Sequence, residues 1–388
     1  MEHKILTLTD NCTGCFACQN ACPVDAISLP ENEEGFYFPV VATDKCINCG
    51  LCDKICPAIN EPEFYHMQKA YYGWANDDVL RKSSSSGGVF GLLAKHVLDL
   101  GGVVYGAAFN YDDELRLECK STDSVTLLEL QKSKYVQCNV GEGFRNIKEK
   151  LKSGMQVLYC GTPCEVSGLR CYLREDYPNL LSVDFVCHGV PPVSLLRDHL
   201  KYKGIKRVKR VDFRPKNRAW VDDIVVEYQK NKRYQNSWSN DEFYKLFQNY
   251  GSIRRSCYSC QYCNGNRMSD ISLADFWGYR NFDKSIFDKR GISLVLANTE
   301  KGIKWMDMLI ENEDCFIKEI GMEYAEYVYA RDRKAPQSNY NISFRNKFFH
   351  LKREKGYKYA LKKMGMRTPF IAQLKYYIRS EISKFHNK

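Results

Sequence analysis

The sequence lacks the features that would anchor it in a membrane or direct it out of the cell. No segment approaches the roughly 18 uninterrupted apolar residues of a membrane-spanning helix. The N-terminus also lacks the charged-then-apolar pattern of a signal peptide. We therefore expect a cytoplasmic protein. Its 18 cysteines fit a reducing compartment, because in an oxidising one such thiols would tend to form disulfides.

Common nucleotide and zinc motifs are missing as well. The sequence has no GxxxxGK[ST] phosphate loop, no GxGxxG fingerprint and no HExxH motif.

Net charge is small over most of the chain. Residues 331–388 carry 16 Lys and Arg against Asp332, Glu354 and Glu381, a local charge of +13, whereas the other residues together total about −3. A nearly neutral body does not favour a nucleic-acid partner.

The basic balance belongs to the tail, residues 331–388, where apolar side chains alternate with Lys and Arg. Part of this tail could form an amphipathic basic helix. The interpretation we favour is a solvated helix packed on the body. The alternative is peripheral contact with an acidic partner or with the inner face of a membrane, and nucleic acid is the least favoured partner.

Cysteine is abundant and regularly spaced. The pattern CxxCxxCxxxCP occurs twice, over residues 12–23 and 46–57, which is the spacing of the bacterial two-cluster ferredoxins. Three thiolates of one run can hold three corners of a 4Fe-4S cube, and the fourth corner needs a thiolate of the other run. Disulfides or zinc sites do not explain this repeat. We therefore predict one cluster on Cys12, Cys15, Cys18 and Cys56, and another on Cys46, Cys49, Cys52 and Cys22.

The remaining length requires further domains, because the ferredoxin pattern occupies only residues 1–62. After a polar, proline-bearing connection, residues 70–330 predict an α/β domain with a mixed, partly parallel sheet, in two parts over 70–160 and 161–330. The ferredoxin-like domain itself is of the α+β class. Residues 331–388 form the predicted helical tail.

Two apolar strands in this second domain, at 156–160 and 180–186, each run into a turn with cysteine, glycine and proline before a helix. Parallel strands of this kind end at one edge of a sheet. Cys164 and Cys187 should therefore meet, and the CxxC of Cys257 and Cys260 could complete a four-thiolate site with them.

A serine and glycine loop precedes a predicted helix that begins near Val89. Free amides and hydroxyls at such a helix start suit a phosphate-bearing ligand. The alternative is a simple serine N-cap without any ligand.

The combination of several short motifs resembles a known family over roughly residues 1–330. These motifs are SSSSGGVF, SKYVQ, GTPC, VCHGVP, RPKNRAW, and CYSC followed by SDISLADFWG. They are similar to the beta-subunit family of deazaflavin-reducing hydrogenases and dehydrogenases. The resemblance is stronger to its bacterial branch, which has a fused N-terminal ferredoxin and is often found beside glycan-assembly enzymes. The tail lies outside the resemblance.

The resemblance implies a flavoprotein with a third 4Fe-4S cluster of its own. By the family's motifs its ligands would be Cys164, Cys187, Cys257 and Cys260. FAD or FMN would be bound by Ser85, Ser86, Gly87, Gly88, Ser133, Lys134 and Tyr135. Cys160 and Cys263 depart from the family pattern, and Cys263 could replace Cys164 as a ligand. His188 either delivers a proton as a catalytic residue or only hydrogen-bonds a turn.

The predicted function is that of a flavin-dependent iron-sulfur oxidoreductase. It would pass electrons between its clusters and a flavin, and then to or from an organic acceptor, with a place in glycan biosynthesis implied by the resemblance. A redox partner protein or another low-potential donor would supply the electrons. One alternative is a non-catalytic electron-transfer subunit of a larger complex, and another is a redox sensor or scaffold whose tail binds a membrane.

Overall fold

The structure is a computed structural model that describes most of the chain. It describes residues 3–369 except 113, 217–219, 221–222, 230, 264, 266, 287, 312–313 and 327–338, and it also describes 371–373 and 376. Among the described residues, no helix is both long enough and apolar enough to cross a membrane.

The N-terminal domain is built from two similar halves. Its elements are a 3-10 turn Lys4–Thr7, α1 Ala17–Ala21, β1 Ile27–Ser28, β2 Val40–Val41 and α2 Leu51–Lys54, and β1 pairs antiparallel with β2. Phe16 and Gly50 hold equivalent left-handed positions, with φ of 66° and 69°, immediately before α1 and α2. Each cysteine run thus turns sharply into a short helix, as the repeat predicts.

The central domain contains an eight-stranded mixed sheet. Its strands are β3 Lys69–Ala75, β4 Val103–Asn110, β5 Arg116–Ser121, β6 Val157–Cys160, β7 Leu180–Phe185, β11 Ile271–Asp275, β12 Ser293–Ala297 and β13 Cys315–Ile320. Their order is β13-β3-β12-β11-β7-β6-β4-β5. Neighbours from β4 to β11 through β6 and β7 are parallel, and the outer pairs are antiparallel. This arrangement confirms the mixed, partly parallel sheet.

The two predicted parts of this domain do not form separate sheets. Strand β3 belongs to the first part, yet it pairs with β12 and β13 of the second. The division at residue 160 therefore cuts through one hydrogen-bonded layer. The β5 strand was not predicted, because its six residues include four charged or polar side chains and their burial is mostly partial.

Helices cover both faces of the large sheet. They are α3 Asp78–Lys82, α4 Val89–Asp99, α5 Leu127–Leu130, α6 Gly143–Lys152, α7 Pro163–Leu173, α8 Val193–Tyr202, α9 Glu242–Gln248, α10 Tyr279–Phe282 and α11 Glu300–Ile310, with 3-10 turns at Arg255–Ser259 and Lys284–Ile286. Helices α4 and α11 share one apolar core. Helices α6 and α7 share another core with the ferredoxin domain, so that domain is attached to one face of the sheet.

A smaller antiparallel sheet lies beside the large one. It consists of β8 Val208–Asp212, β9 Asp223–Tyr228 and β10 Lys232–Ser237, in the order β10-β9-β8. It shares a hydrophobic core with α8 and α9 and with two helices of the tail, α12 Asn339–Lys355 and α13 Tyr357–Lys363.

The described part of the tail packs on the rest of the chain. Phe348, Tyr357 and Leu361 are buried in the core of the small sheet. Arg345 binds the carboxylate of Glu34 in the ferredoxin domain. This matches the packed-helix interpretation for residues 339–363. The prediction of membrane contact stays a prediction, because much of the apolar-basic pattern lies in residues 370, 374–375 and 377–388, outside the described residues.

Candidate iron-sulfur and flavin sites

The first set of thiols, Cys12, Cys15, Cys18 and Cys56, lines one cavity in the ferredoxin domain. Burial and, to a smaller extent, the neighbouring Cys56 thiol together raise the pKa of Cys15 to about 12. Burial likewise raises the pKa of Cys18, with added contributions from Cys15, Cys12 and Cys56. These mutual effects mean that the four sulfurs lie close together. Such buried thiols lose their protons readily only to a metal centre, so the donor set fits a 4Fe-4S cube.

The second set of thiols, Cys46, Cys49, Cys52 and Cys22, reaches the surface at one residue. Cys49 is exposed, whereas Cys22 and Cys52 are buried. Two backbone amides point at sulfurs of this set: Ala26 N–H donates to Cys22 Sγ at 3.2 Å, and Asn48 N–H donates to Cys46 Sγ at 3.4 Å. Amides directed at sulfur are typical of iron-sulfur sites.

A histidine that the spacing of cysteines did not indicate lies against the second set. His3 Nε2 is 3.3 Å from Cys46 Sγ, and its Nδ1 is 3.7 Å from Cys52 Sγ. The Asp53 carboxylate accepts the N–H groups of Lys4 and Ile5, both at 3.0 Å, and so fixes the N-terminal turn over this set. No sequence signal marks His3, because its position depends on this long-range capping.

The third set of thiols, Cys164, Cys187, Cys257 and Cys260, lines a second cavity at the carboxyl edge of β6 and β7. Burial raises the pKa of both Cys164 and Cys257, and in both cases the thiols of Cys187 and Cys260 raise it further. The four residues suggested by strand ends and by the family motifs are therefore neighbours in space.

Two other residues named from the sequence line this same cavity. Cys263 is a fifth thiol in the wall, and His188 is next to Cys187. Cys164 and Cys263 both line the cavity, so the choice of Cys164 as the fourth ligand stays a prediction. The Cys160 side chain instead packs against the core under α4. The role of His188 stays a prediction.

The first and third sets are close neighbours. Thr13 lines both cavities. Helix α7 carries Cys164 in its first turn and Gly168 one turn later on the same side. A methyl group at Gly168 would lie 2.9 Å from both Cβ and Sγ of Cys15. One helical turn therefore separates a thiol of the third set from a thiol of the first.

The two segments predicted to bind a flavin also meet. The serine loop, residues 83–88, touches the segment 133–135 through Ser85 Oγ, which lies 2.9 Å from Ser133 Oγ and accepts Ser133 N–H at 2.7 Å. The fold itself also requires the two glycines of this loop. A Cβ at Gly87 would lie 2.3 Å from the Gly73 carbonyl oxygen, and Gly88 has a φ of +100°. Their presence therefore does not by itself indicate a ligand.

A lysine lies at the serine loop. Lys216 Nζ donates to the carbonyls of Arg81, at 2.9 Å, and Ser86. No ion pair joins Lys216 to a carboxylate among the described residues. Burial and, to a smaller extent, the nearby charge of Arg214 together lower the pKa of Lys216 to about 7. A phosphate group at this loop would compensate the lysine.

An aromatic surface completes this region. The rings of Trp220 and Trp277 are stacked with centroids 4.4 Å apart, and Trp220 Nε1–H donates to the Ser85 carbonyl at 3.2 Å. Trp277 keeps 39% of its surface exposed. The serine hydroxyls fit the hydroxylated chain of a flavin nucleotide. The Lys216 ammonium fits its phosphate, and the open face of Trp277 fits its ring.

The other predicted flavin residues point partly elsewhere. Lys134 Nζ donates to the carbonyls of Glu129 and Gln131, at 2.8 and 2.5 Å, and burial lowers its pKa to about 7. The Tyr135 ring packs on Phe247 in an apolar cluster that also contacts Cys257. Tyr135 and Cys257 of the third set therefore pack against the same apolar cluster.

Comparison with known proteins gives two family matches. Residues 154–322 match the C-terminal domain of the coenzyme F420 hydrogenase/dehydrogenase beta subunit, and residues 11–59 match the 4Fe-4S dicluster domain. No curated protein matches the chain. A chain in the structure of the F420-reducing [NiFe] hydrogenase complex from Methanosarcina barkeri is 15% identical, with a TM-score of 0.48. That alignment covers 71% of this chain and 92% of the other.

These matches confirm the predicted 4Fe-4S domain and the suspected family. The dicluster match includes all eight thiols of the first and second sets. The beta-subunit match includes the four thiols of the third set. The chain is therefore an iron-sulfur electron-transfer protein with a 4Fe-4S dicluster domain near its N-terminus, and its residues 154–322 are similar to the C-terminal domain of the coenzyme F420 hydrogenase/dehydrogenase beta subunit.

Proposed function

We propose that this chain is a flavin-dependent oxidoreductase that moves single electrons between a redox partner and a flavin through three 4Fe-4S sites. The main support is the order of the thiol sets along the molecule. The second set reaches the surface at Cys49, the first set touches α7 through Gly168, and the third set begins at Cys164 of that helix. This order would let electrons pass from the second set at the surface to the first set and then to the third.

The inner end of this order would lie toward the serine loop, because Cys257 of the third set packs against the same apolar cluster as Tyr135, two residues after Ser133. Ser85, Ser133 and Lys216 would hold the flavin there, beside the exposed face of Trp277. When bound, a flavin would supply the conversion between single electrons and electron pairs that cubes alone lack. The family's link to oxidoreductases makes this the best-supported activity.

The outer end would receive a redox partner protein within a larger assembly. The exposed Cys49 and the neighbouring exposed Ile47 make the second set the accessible one. A cytoplasmic location, contact of the distal tail with a membrane face, and an acceptor in glycan biosynthesis are further parts of the proposal. The last of these rests on the sequence resemblance alone.

The decisive experiment is the optical spectrum and extracted cofactor of protein purified without oxygen. We expect one FAD or FMN and about twelve irons per chain, with the flavin bleached by a low-potential donor. Protein that contains no flavin would refute the proposal. Flavin that bleaches while no small molecule is reduced would favour the alternative, an electron-transfer subunit whose partner holds the substrate.

Flavin binding should depend on pH through Lys216. Its pKa is lowered to about 7, so the ammonium that attracts a phosphate is present below pH 7 and is lost above it. The affinity of flavin-free protein for FAD or FMN should therefore fall by about tenfold per pH unit above pH 7, until the pKa of the complex is reached. Fluorescence titration between pH 6 and 9 measures this.

The Lys216→Met variant is the control for this pH dependence. It should bind flavin weakly at every pH, because the charge is absent throughout. A wild-type affinity that is constant from pH 6 to 9 would contradict the assignment of Lys216 to the flavin site.

A further inference from the structure

Arg254 is a buried arginine between two thiol sets. Only 1% of its surface is exposed. Its Nε donates to the Cys12 carbonyl at 2.6 Å, its Nη2 to the Tyr37 carbonyl at 2.9 Å, and its Nη1 to Gln137 Oε1 at 3.4 Å. The guanidinium also lies 4.1 Å from the centre of the Phe38 ring. All of these partners are electrically neutral.

Arg254 differs in this respect from the other deeply buried arginines. Each of those pairs with a carboxylate: Arg81 with Asp288, Arg170 with Asp270, Arg214 with Asp275, Arg267 with Asp184, and Arg345 with Glu34. Within the described residues, no ion pair joins Arg254 to a carboxylate. A buried charge without a counter-ion costs several kcal/mol, so a compensating negative charge is expected nearby.

The thiol sets are the available source of that charge. The guanidinium binds the carbonyl of Cys12 in the first set. The Arg254 carbonyl accepts the N–H of Cys257 in the third set at 3.0 Å. Four thiolates give a 4Fe-4S cube a net negative charge, and reduction adds one more. A fixed positive charge beside two such sites favours their reduced forms.

We propose that Arg254 is the counter-ion shared by the first and third 4Fe-4S sites and that it raises the reduction potentials of both relative to the second. Arg254 thereby sets the direction of electron flow, because electrons at the second site near the surface move to the sites of higher potential. This inference rests on the proposed function, because it requires cubes at the first and third sets.

The test is a potentiometric titration of the intact protein, followed by electron paramagnetic resonance, which reads each cluster independently of turnover. In Arg254→Met the potentials of the first and third clusters should shift to more negative values, while that of the second stays unchanged. Arg254→Lys keeps the charge and should retain most of the wild-type potentials.

A second variant addresses the case in which Arg254→Met does not assemble. Gln137→Glu places a carboxylate where Arg254 Nη1 already donates. This change neutralises the guanidinium without removing it, and it should produce the same negative shift. Unchanged first and third potentials in this variant would overturn the proposal even if Arg254→Met cannot be purified.

The matched control removes an ion pair, whose two charges cancel, from the same interface. Arg345 binds Glu34 and also donates to the carbonyl of Ile253, the residue before Arg254. The double variant Arg345→Met with Glu34→Gln should leave all potentials unchanged. A shift as large as that of Arg254→Met would show that packing rather than charge is responsible, and would overturn the proposal. A wild-type protein with only about eight irons would instead refute the proposed function.

Discussion

Replacement of Cys187 by serine is expected to lower the iron content from about twelve to about eight per chain, because the third site loses a thiolate that its cube requires. Cys187 lines the third cavity, and its thiol contributes to the raised pKa of both Cys164 and Cys257. The variant should keep the first and second clusters, since neither includes this residue. It should also lose reduction of the flavin by an external donor.

The control for this prediction is Cys263→Ser, which changes a thiol in the wall of the same cavity. It should retain about twelve irons. Cys164→Ser should instead lose about four, as Cys187→Ser does. If Cys263→Ser loses the iron and Cys164→Ser keeps it, the fourth ligand is Cys263. If Cys187→Ser keeps about twelve irons, the third site is wrong.

Replacement of Gly168 by valine should remove the first cluster. The Cβ alone would lie 2.9 Å from both Cβ and Sγ of Cys15, and the branched side chain would force that ligand farther away. A cube tolerates little movement of its sulfurs, so we expect about eight irons per chain. The smaller Gly168→Ala change should keep the cluster while destabilising the fold by about 1–3 kcal/mol through overpacking.

Spectroscopy separates this loss from that in Cys187→Ser. Magnetic coupling between the first and second reduced clusters should disappear in Gly168→Val and persist in Cys187→Ser. The matched glycine variant is Gly106→Ala, where the nearest atoms to the new Cβ are 3.7 Å away, so iron content and stability should hold. A Gly168→Val protein with all its iron and the wild-type coupling would contradict the close approach of α7 to the first set.

Much of the candidate site could be predicted because its signals are local. The eight ferredoxin cysteines lie in two short runs whose spacing alone matches the geometry of a cube. The strands that end near Cys160 and Phe185 are continuous apolar runs, and parallel strands bring their following turns to one edge. Helix α11 carries a local signal of the same kind, because its apolar residues recur at helical spacing.

Other features could not be predicted, because they depend on residues far apart in the chain. Helix α9 was not predicted, and helix α5 ends at Leu130, shortly before Lys132 adopts a positive φ of 68°. The place of β3 between β12 and β13 is decided by pairing across more than 200 positions. Hydrophobic patterns state which face of a strand is buried, but not which strand lies beside it.

The sequence by itself determined the chemistry of this protein: sulfur ligands in fours, a ferredoxin domain in front of a partly parallel sheet, and a basic tail. Tertiary structure alone decided how these parts are connected. Gly168 touches Cys15, Arg254 reaches Cys12 across 242 positions, and Arg345 binds Glu34 across 311. The physical reason is that ligand spacing is a property of one chain segment, whereas charge compensation and close packing are properties of surfaces that meet only on folding.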